Sequence, residues 1–367
     1  MGEISIWLRG PSGDLRMPGM PVTSAEWHLE ENKFGVLRIS GPLAELDTSL
    51  LQLDCRFDVM RSIDGGAPYI EGNAPFLLRY RDFGEDESGL ETYFIEAYTP
   101  EYLLTGRIID SYASTEVTTN ALTTKTGTAD NIAKAFVTQN IVSASTAARN
   151  VTGLTVDANL TAAASTTKSA SYDNLWKTLL ALAEDSLQRG TYLTYAIVYN
   201  GNDLIFRTYT GQRGVAHTDI IASKELGNLR APHIIHDYRT VVTAVRAGGK
   251  GEGADRLTVR VENAVRSTSS PYAYRESFLD DTRAESTAAL TADANAELEA
   301  NRPIKVFSGQ FVDTDYARYG EAVNFGDTLE AKYQGDSFTC RLSKVDGSWT
   351  KDGGEVLSIN LSSTEAI

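Results

Sequence analysis

Through the first hundred positions apolar and polar residues alternate with a period of two. Ile4, Ile6 and Leu8 stand between polar neighbours, as do Trp27 and Leu29 and the run Val36 to Ile39. From Leu51 to Ile63, the residues Leu51, Leu53, Cys55, Phe57 and Val59 fall on one face, and Gln52, Asp54, Arg56 and Asp58 on the other. Successive side chains of a strand point to opposite sides, so this pattern predicts half-buried antiparallel strands. Phe76–Tyr80 and Thr92–Tyr98 repeat it on either side of an acidic turn at Gly84–Gly89. Short strands punctuated by Gly, Pro and Asp predict a barrel or sandwich for residues 3–99.

The pattern changes near residue 113. Of residues 113–171, 33 of 59 are Ala, Ser or Thr, and part of this stretch reads as linker. Two helical signals stand out against it. Thr128 precedes a segment in which Ile132, Phe136 and Val137 share one face. Asp173 is the expected cap of a stronger helix carrying Leu175, Leu179, Leu182 and Leu187 at nearly helical spacing. Residues 145–171 between them read as an excursion loop or extended packing. A hairpin follows: Tyr192–Tyr199 and Asp203–Tyr209 flank Asn200-Gly201-Asn202, a tight-turn signal.

The last third returns to strands. Arg239–Ala247 and Arg256–Glu262 flank the glycine-rich run Gly248–Gly253, and a long helix is expected over 275–301. Leu279, Leu290 and Leu298 lie near one stripe of that helix, because offsets of 8 and 11 residues are close to whole turns. Pro303 stops it. Strands are expected at Lys305–Val312, Thr328–Tyr333, Ser337–Lys344 and Glu355–Leu361.

Length and charge sharpen this division. The chain has 367 residues, 34 Lys+Arg and 49 Asp+Glu, for a net charge of −15. Residues 1–112 carry 9 basic and 19 acidic side chains, residues 113–227 carry 9 and 9, and residues 228–367 carry 16 and 21. Two acidic β segments therefore flank a neutral α+β insertion. Such acidity argues against wrapping duplex DNA, which needs a basic footprint, and against docking on anionic lipid. No run approaches 18 apolar residues, and the N-terminus lacks the basic and apolar runs of a signal peptide. Synthesis and folding in the cytoplasm are expected. Cys55 and Cys340 lie in strand-like apolar stretches and read as buried free thiols, with a bridge between them left open.

Several short runs invite a catalytic or binding assignment. Gly248-Gly249-Lys250-Gly251-Glu252-Gly253 suggests a phosphate loop, but its Lys is followed by Gly, and it joins two strands rather than opening a helix. His233 and His236 lie three apart in a segment without helical pattern, and only His28 and His217 exist besides. A zinc site needs three or four convergent ligands. Neither cysteine lies in a nucleophile motif, and no Gly-x-Ser-x-Gly elbow is present. Asp313, Asp315 and Glu321 lack the full ligand ladder of a calcium loop. Glu276, Asp280, Asp281, Glu285, Asp293, Glu297 and Glu299 read as a solvated helix face. No catalytic, cofactor-binding or metal residue is assigned, and no cofactor is expected.

From Arg239 onward the order of elements carries a resemblance. A strand, the Gly248–Gly253 loop with Ala254-Asp255-Arg256, and a second strand precede Tyr274-Arg275-Glu276-Ser277-Phe278-Leu279-Asp280-Asp281-Thr282-Arg283. The closing part has Gly326-Asp327-Thr328 opening a strand, then Cys340-Arg341-Leu342-Ser343-Lys344-Val345 and a final strand. This resembles the tail hub family of long-tailed bacteriophages, the baseplate-hub proteins at the distal end of the tail tube. The helix and hairpin over Leu175–Tyr209 and the all-β first third fit as well.

The resemblance implies a mainly β homotrimer with an α+β insertion. Residues 1–112 and 228–367 would be two tube-like β-barrel or sandwich domains, and 113–227 the helix-plus-hairpin middle domain. Three copies would form a pseudo-sixfold ring continuing the tail tube. The implied partners are the distal tail protein ring, the tape-measure protein and tip or receptor-binding proteins. DNA would pass only as cargo, without stable membrane association, and the implied location is the tail tip of the virion. The implied action is conformational, with a channel opening on host contact. The core of this family holds no catalytic residues, and its hydrolase activities sit in C-terminal extensions, so this chain, which stops at Ile367, is not expected to be an enzyme. Two other classes stay open on the residues alone. A tail-tip cell-wall hydrolase needs two carboxylates across a cleft, and a carbohydrate-binding adhesion module needs an exposed aromatic platform.

Overall fold

The structure, a computed structural model, describes residues 2–85, 89–110, 122–282 and 284–366. It is mainly β, with 46 % strand and 19 % helix in several sheets, none of them closed among the described residues. Of the barrel or sandwich expected for the flanking segments, the closed barrel is not found among the described residues.

The first segment contributes β1 (Gly2–Arg9), β2 (Leu15–Met17), β3 (Ser24–Glu30), β4 (Val36–Pro42), β5 (Arg56–Ile63), β6 (Tyr69–Ile70), β7 (Phe76–Glu85) and β8 (Glu91–Tyr98), then the short helix α1 (Tyr102–Thr105). The middle contributes β9 (Thr123–Thr128), α2 (Ala129–Val137), β10 (Leu154–Val156), β11 (Ser165–Ala170), α3 (Leu175–Gln188), β12 (Leu193–Asn200) and β13 (Asp203–Thr210). The remainder comprises β14 (Ala216–Ser223), β15 (Leu229–Asp237), β16 (Ala244–Gly248), β17 (Thr258–Glu262), α4 (Ala264–Ser267), β18 (Glu276–Asp280), α5 (Thr287–Ala300), β19 (Ile304–Phe311), β20 (Thr328–Tyr333), β21 (Asp336–Thr350) and β22 (Gly354–Ala366).

The chain folds as two compact units. The larger holds Met1–Ser186, Thr191–Ala231 and Gly309–Leu361, and the smaller holds Leu187–Gly190, Pro232–Ser308 and Ser362–Ile367. In the larger unit one ladder runs β2-β1-β5-β7-β8-β4-β3-β21, and β20 bridges β21 and β14. Alternation puts Ile6, Leu8, Trp27, Leu29, Leu37, Ile39, Ile95 and Ala97 inside, as the period of two predicts. Trp27 pairs with Gly347 across β3 and β21. A Cβ at Gly347 would fall 2.6 Å from the indole Nε1 and closer to the ring carbons, so only glycine lets the indole lie across β21. Gly347→Ala is expected to cost about 1–3 kcal/mol, the usual cost of overpacking, in urea unfolding.

The alternation read over Leu51–Ile63 needs correction. The strand begins at Arg56, Asp54 adopts φ of 63°, and Leu53 is 73 % exposed. That left-handed turn breaks the register ahead of the strand. Within β5 both faces are buried, because Arg56, Asp58 and Arg61 find partners inside rather than water.

The middle segment builds its own apolar core. Ile132, Phe136 and Val137 of α2, Leu175, Leu179 and Leu182 of α3, and Tyr195, Ile197 and Phe206 of the hairpin meet in one cluster. The cap of α3 is Asn174 rather than Asp173: Lys177 donates its backbone N–H to Asn174 Oδ1 at 3.1 Å. The tight turn expected at Asn200-Gly201-Asn202 is a two-residue β12–β13 loop, with Asn200 opposite Asp203 and Gly201 at φ of 66°. Part of the Ala/Ser/Thr-rich stretch is strand, β9 pairing antiparallel with β11; the rest of its start lies outside the described residues.

In the smaller unit the expected helix over 275–301 divides into a strand and a shorter helix. Residues 276–280 form β18, parallel to β16, and α5 begins only at Thr287, capped by Ser286. Glu276-Ser277-Phe278-Leu279-Asp280 alternates with period two, which suits a strand edge as well as a helical stripe. Leu279 therefore reaches the same core as Leu290, Ala294 and Leu298 from the sheet side, packing with Val245 and Ala247.

Candidate functional site

The residues that stand out in the larger unit are charged groups placed inside it. Arg61 of β5 is 2 % exposed. Its Nε donates to Glu355 Oε1 at 2.6 Å and its Nη2 to Glu355 Oε2 at 3.1 Å. Its Nη1 donates to Glu71 Oε2 at 3.1 Å and to the Tyr69 hydroxyl. Tyr319 closes the far side by donating its hydroxyl to Glu71 Oε1. One guanidinium thus holds together strands 56–63 and 354–366, the turn at residue 71, and the loop before β20.

Burial pushes the Glu71 carboxyl up from its ordinary value, with Arg61 and the Tyr319 hydroxyl pulling back in part. Burial works against the Arg61 charge too, but Glu355 and Glu71 outweigh it and hold that charge firmly. Beside this group lies a cavity of about 240 Å³ lined by Tyr69, Glu71, Val198, Tyr209, Arg213, Tyr319 and Phe325. Arg213 stacks over the Phe325 ring at 4.7 Å and the Tyr209 ring at 5.7 Å.

A second group clamps the middle hairpin to the first sheet. Asp58 of β5 is fully buried; Arg9 Nε donates to its Oδ2 and the Tyr199 hydroxyl to its Oδ1, both at 2.6 Å. Arg56 Nη1 donates to the carbonyl of Asn202 in the β12–β13 turn at 2.7 Å, and Nη2 to Pro11 O at 2.8 Å. Arg9 and Arg56 also face the Tyr199 ring at 5.7 and 6.0 Å.

The free edge of β12 is closed by side chains. Tyr195 N–H donates to Asn32 Oδ1 at 3.2 Å, Ile197 N–H to Glu101 Oε1 at 2.7 Å, and Asn32 Nδ2 to Leu193 O at 3.1 Å. Capping an edge in this way satisfies backbone groups that would otherwise recruit another strand. Tyr192, next along, donates its hydroxyl to buried Glu31 and lies under Arg341 at 3.9 Å. Burial raises the carboxyls of both Glu31 and Glu101.

The Gly326-Asp327-Thr328 run proves structural. Asp327 Oδ1 accepts the Val215 N–H at 2.7 Å, its Oδ2 accepts the Asn324 N–H at 2.7 Å, and His217 Nε2 lies 2.9 Å from Oδ2. This cradle sets the start of the parallel β14–β20 pair.

The runs weighed for chemistry find structural places. In the Gly248–Gly253 loop Gly249 N–H donates to Leu257 O at 2.8 Å and Lys250 N–H to Ala284 O at 3.0 Å. The Lys250 ammonium pairs with Glu285 at 2.6 Å. Those two N–H groups are turned to carbonyls of the chain. His233 and His236 are both exposed on β15, three residues apart and so on opposite faces. Asp313 accepts the Tyr319 N–H at 2.9 Å, and Asp315 pairs with Arg318 at 3.3 Å. Among the described residues no three His, Cys, Asp or Glu groups converge as for a metal ion. Cys55 and Cys340 are both buried, and neither forms a disulfide. Burial pushes the Cys55 thiol up to about 12, which keeps it protonated and unreactive. Asp280 pairs with Arg256, so that part of the acidic run is neutralised locally.

The sequence pattern did not single out Arg61, Glu71, Asp58 or Tyr199. Arg56 and Asp58 read there as a solvent face. The available signal was a strand with three charges, Arg56, Asp58 and Arg61, between Phe57, Val59 and Met60.

The chain belongs to the siphovirus ReqiPepy6 Gp37-like protein family, which it matches over residues 6–361. Three solved structures share the fold over nearly their whole length. The tail protein from Neisseria meningitidis is 12 % identical with a TM-score of 0.55, covering 98 % of this chain and 96 % of that one. The prophage tail protein gp18 from Listeria monocytogenes is also 12 % identical with a TM-score of 0.55, covering 98 % and 94 %. The 43 kDa tail protein of prophage MuSo2 from Shewanella oneidensis is 11 % identical with a TM-score of 0.53, covering 97 % and 98 %. No curated protein matches the chain. The chain shares the fold of these phage tail proteins. No described helix is long and apolar enough to cross a membrane.

Proposed function

We propose that this protein is a structural component of a bacteriophage tail, the hub at the distal end of the tail tube. Three copies form a ring that continues the tube and joins it to the distal tail protein ring, the tape-measure protein and the tip or receptor-binding proteins. Residues 1–112 and 228–367 act as the two ring-forming parts, and 113–227 decorates them. DNA crosses the ring as cargo. The observation that carries this reading is the family match over 6–361, with the tail-protein fold shared across the whole chain. The net charge of −15 supports it as well, since phosphates passing an acidic lumen are repelled rather than held.

The test is mass in solution. Sedimentation of the full chain is expected to give three times 39.9 kDa, with a ring in images along the symmetry axis. A stable monomer at micromolar concentration, both alone and with the neighbouring tail proteins, overturns the reading.

A further inference from the structure

We propose that a groove in the smaller unit, beside α4 and the loop leading to β18, binds an anionic saccharide, a sugar ring carrying a carboxylate or a phosphate. The site goes beyond the assembly reading above and does not depend on it.

All residues lining the groove fall between Tyr238 and Pro303, inside the smaller unit. Its volume is about 500 Å³, within the range of roughly 300–1,000 Å³ usual for small-ligand sites. Val241, Val265, Ala273 and Pro303 give it an apolar lining. Two tyrosines line it as well, Tyr238 at 52 % and Tyr272 at 87 % exposure. Neither tyrosine hydroxyl has a partner among the described residues. Large aromatic side chains left in water beside a concavity point to a ligand that covers them.

The charge of the groove has one sign. The charged side chains that line it are Arg266 and Arg275. Arg266 is answered by Glu299 at 3.2 Å. Arg275 has no carboxylate partner among the described residues, and its Nη1 reaches only the carbonyls of Tyr238 and Arg239 at 3.3 and 3.4 Å. The neighbouring acids are already engaged. Glu299 also takes Arg302, Asp237 takes Arg239, Glu262 takes Arg260, and Glu276 accepts the Tyr274 hydroxyl. The unanswered charge at the groove is therefore the Arg275 guanidinium. Its planar fork fits a carboxylate or a phosphate through two parallel bonds.

Recognition through the backbone is closed off. A peptide added as a strand needs free main-chain groups at an edge. Here the N–H groups of Ser267, Ser269, Tyr272, Ala273 and Arg275 all donate within the chain. What the groove offers a ligand is rings, hydroxyls and one guanidinium. A saccharide matches that set. The C–H face of a pyranose lies on the electron-rich face of a tyrosine ring. Its hydroxyls suit those of Ser269, Ser270 and the two tyrosines, and its acidic group suits Arg275.

The experiment is calorimetric titration of the full chain at low salt with hexagalacturonate, a glycerol-phosphate oligomer, neutral maltohexaose and an acidic peptide of alternating Glu and Phe. An anionic saccharide is expected to bind with a Kd on the order of 1 mM or below. The tighter of the two anionic probes identifies carboxylate or phosphate as the group recognised. Arg275→Ala is expected to weaken that binding by about tenfold or more, and Arg275→Lys by less, since lysine keeps the charge without the fork. Tyr272→Ala, at a side chain too exposed to support the fold, is expected to weaken it by about as much. Arg246→Ala, which removes a cation outside the groove, should leave it unchanged. The proposal is overturned if neither anionic saccharide binds up to about 10 mM, or if maltohexaose binds equally well. It is also overturned if Arg275→Ala and Tyr272→Ala both bind like the wild type. Tighter binding of the peptide than of either saccharide overturns it in favour of a protein partner. None of these outcomes touches the hub reading, which is tested by mass.

Discussion

Replacing Arg61 by methionine is expected to lower the unfolding free energy of the protein by about 3–5 kcal/mol, the usual cost of removing one partner from a buried ion pair. The reason is the company it leaves behind. Glu71 is 1 % exposed and Glu355 accepts two bonds from the same guanidinium, so both carboxylates lose their counter-charge where water cannot replace it. The penalty should carry a pH signature. Burial raises the Glu71 carboxyl, so the folded state binds this proton more tightly than the unfolded chain does. Its contribution is fully present below the ordinary glutamate value and is lost as pH rises through the raised one. Without Arg61 that value should climb further. The variant should therefore recover stability on mild acidification, and unfolding measured at pH 5 and pH 8 checks this. A penalty that stays constant across that range would mean that losing Arg61 leaves the protonation of Glu71 unchanged between pH 5 and pH 8. The same sign applies to Glu31 and Glu101, whose carboxyls burial also raises. The wild type should thus tolerate acidification better than its 49 acidic residues suggest.

Asp58→Ala is expected to cost a similar amount, about 3–5 kcal/mol, and to act on one place. Asp58 is fully buried and accepts from both Arg9 and Tyr199. Its loss strands the Arg9 charge and leaves a buried hydroxyl that burial and Asp58 together had kept firmly protonated. Because only Tyr199 of this clamp packs against the core of the middle segment, the helices and hairpin should survive locally. Limited proteolysis is expected to cut near Gly201 and Asn202 while far-ultraviolet circular dichroism changes little. Uniform unfolding in both measurements would show that the clamp and the core are one cooperative unit. Asp58→Asn, which keeps an acceptor for Tyr199, should lose less.

The parts of the fold legible in the sequence were those governed by local periodicity. Residues 192–209 announced a hairpin because β-rich runs flank Asn-Gly, and Ile132, Phe136 and Val137 announced a helix because they share a face. Two readings failed for physical reasons that can be named. Residues 276–280 satisfy period two and helical spacing at once, and only the neighbouring β16 decides between them. At 51–55 the alternation is real, but Asp54 turns the chain before a strand can use it. The buried ion pairs were illegible for a different reason. Arg61 and Glu355 lie 294 residues apart, and nothing along the chain distinguishes a charge facing water from one facing a distant counter-charge.

What the sequence by itself determined is the chain's mainly β character, its neutral, Ala/Ser/Thr-rich middle between acidic flanks, and its resemblance to tail hub proteins, because strand periodicity, composition and order of elements are properties of the chain alone. What only the tertiary structure decided is which charges are inside. Arg61, Asp58, Glu71 and Asp327 hold distant segments together because pairing across space offsets the desolvation that would otherwise keep them at the surface.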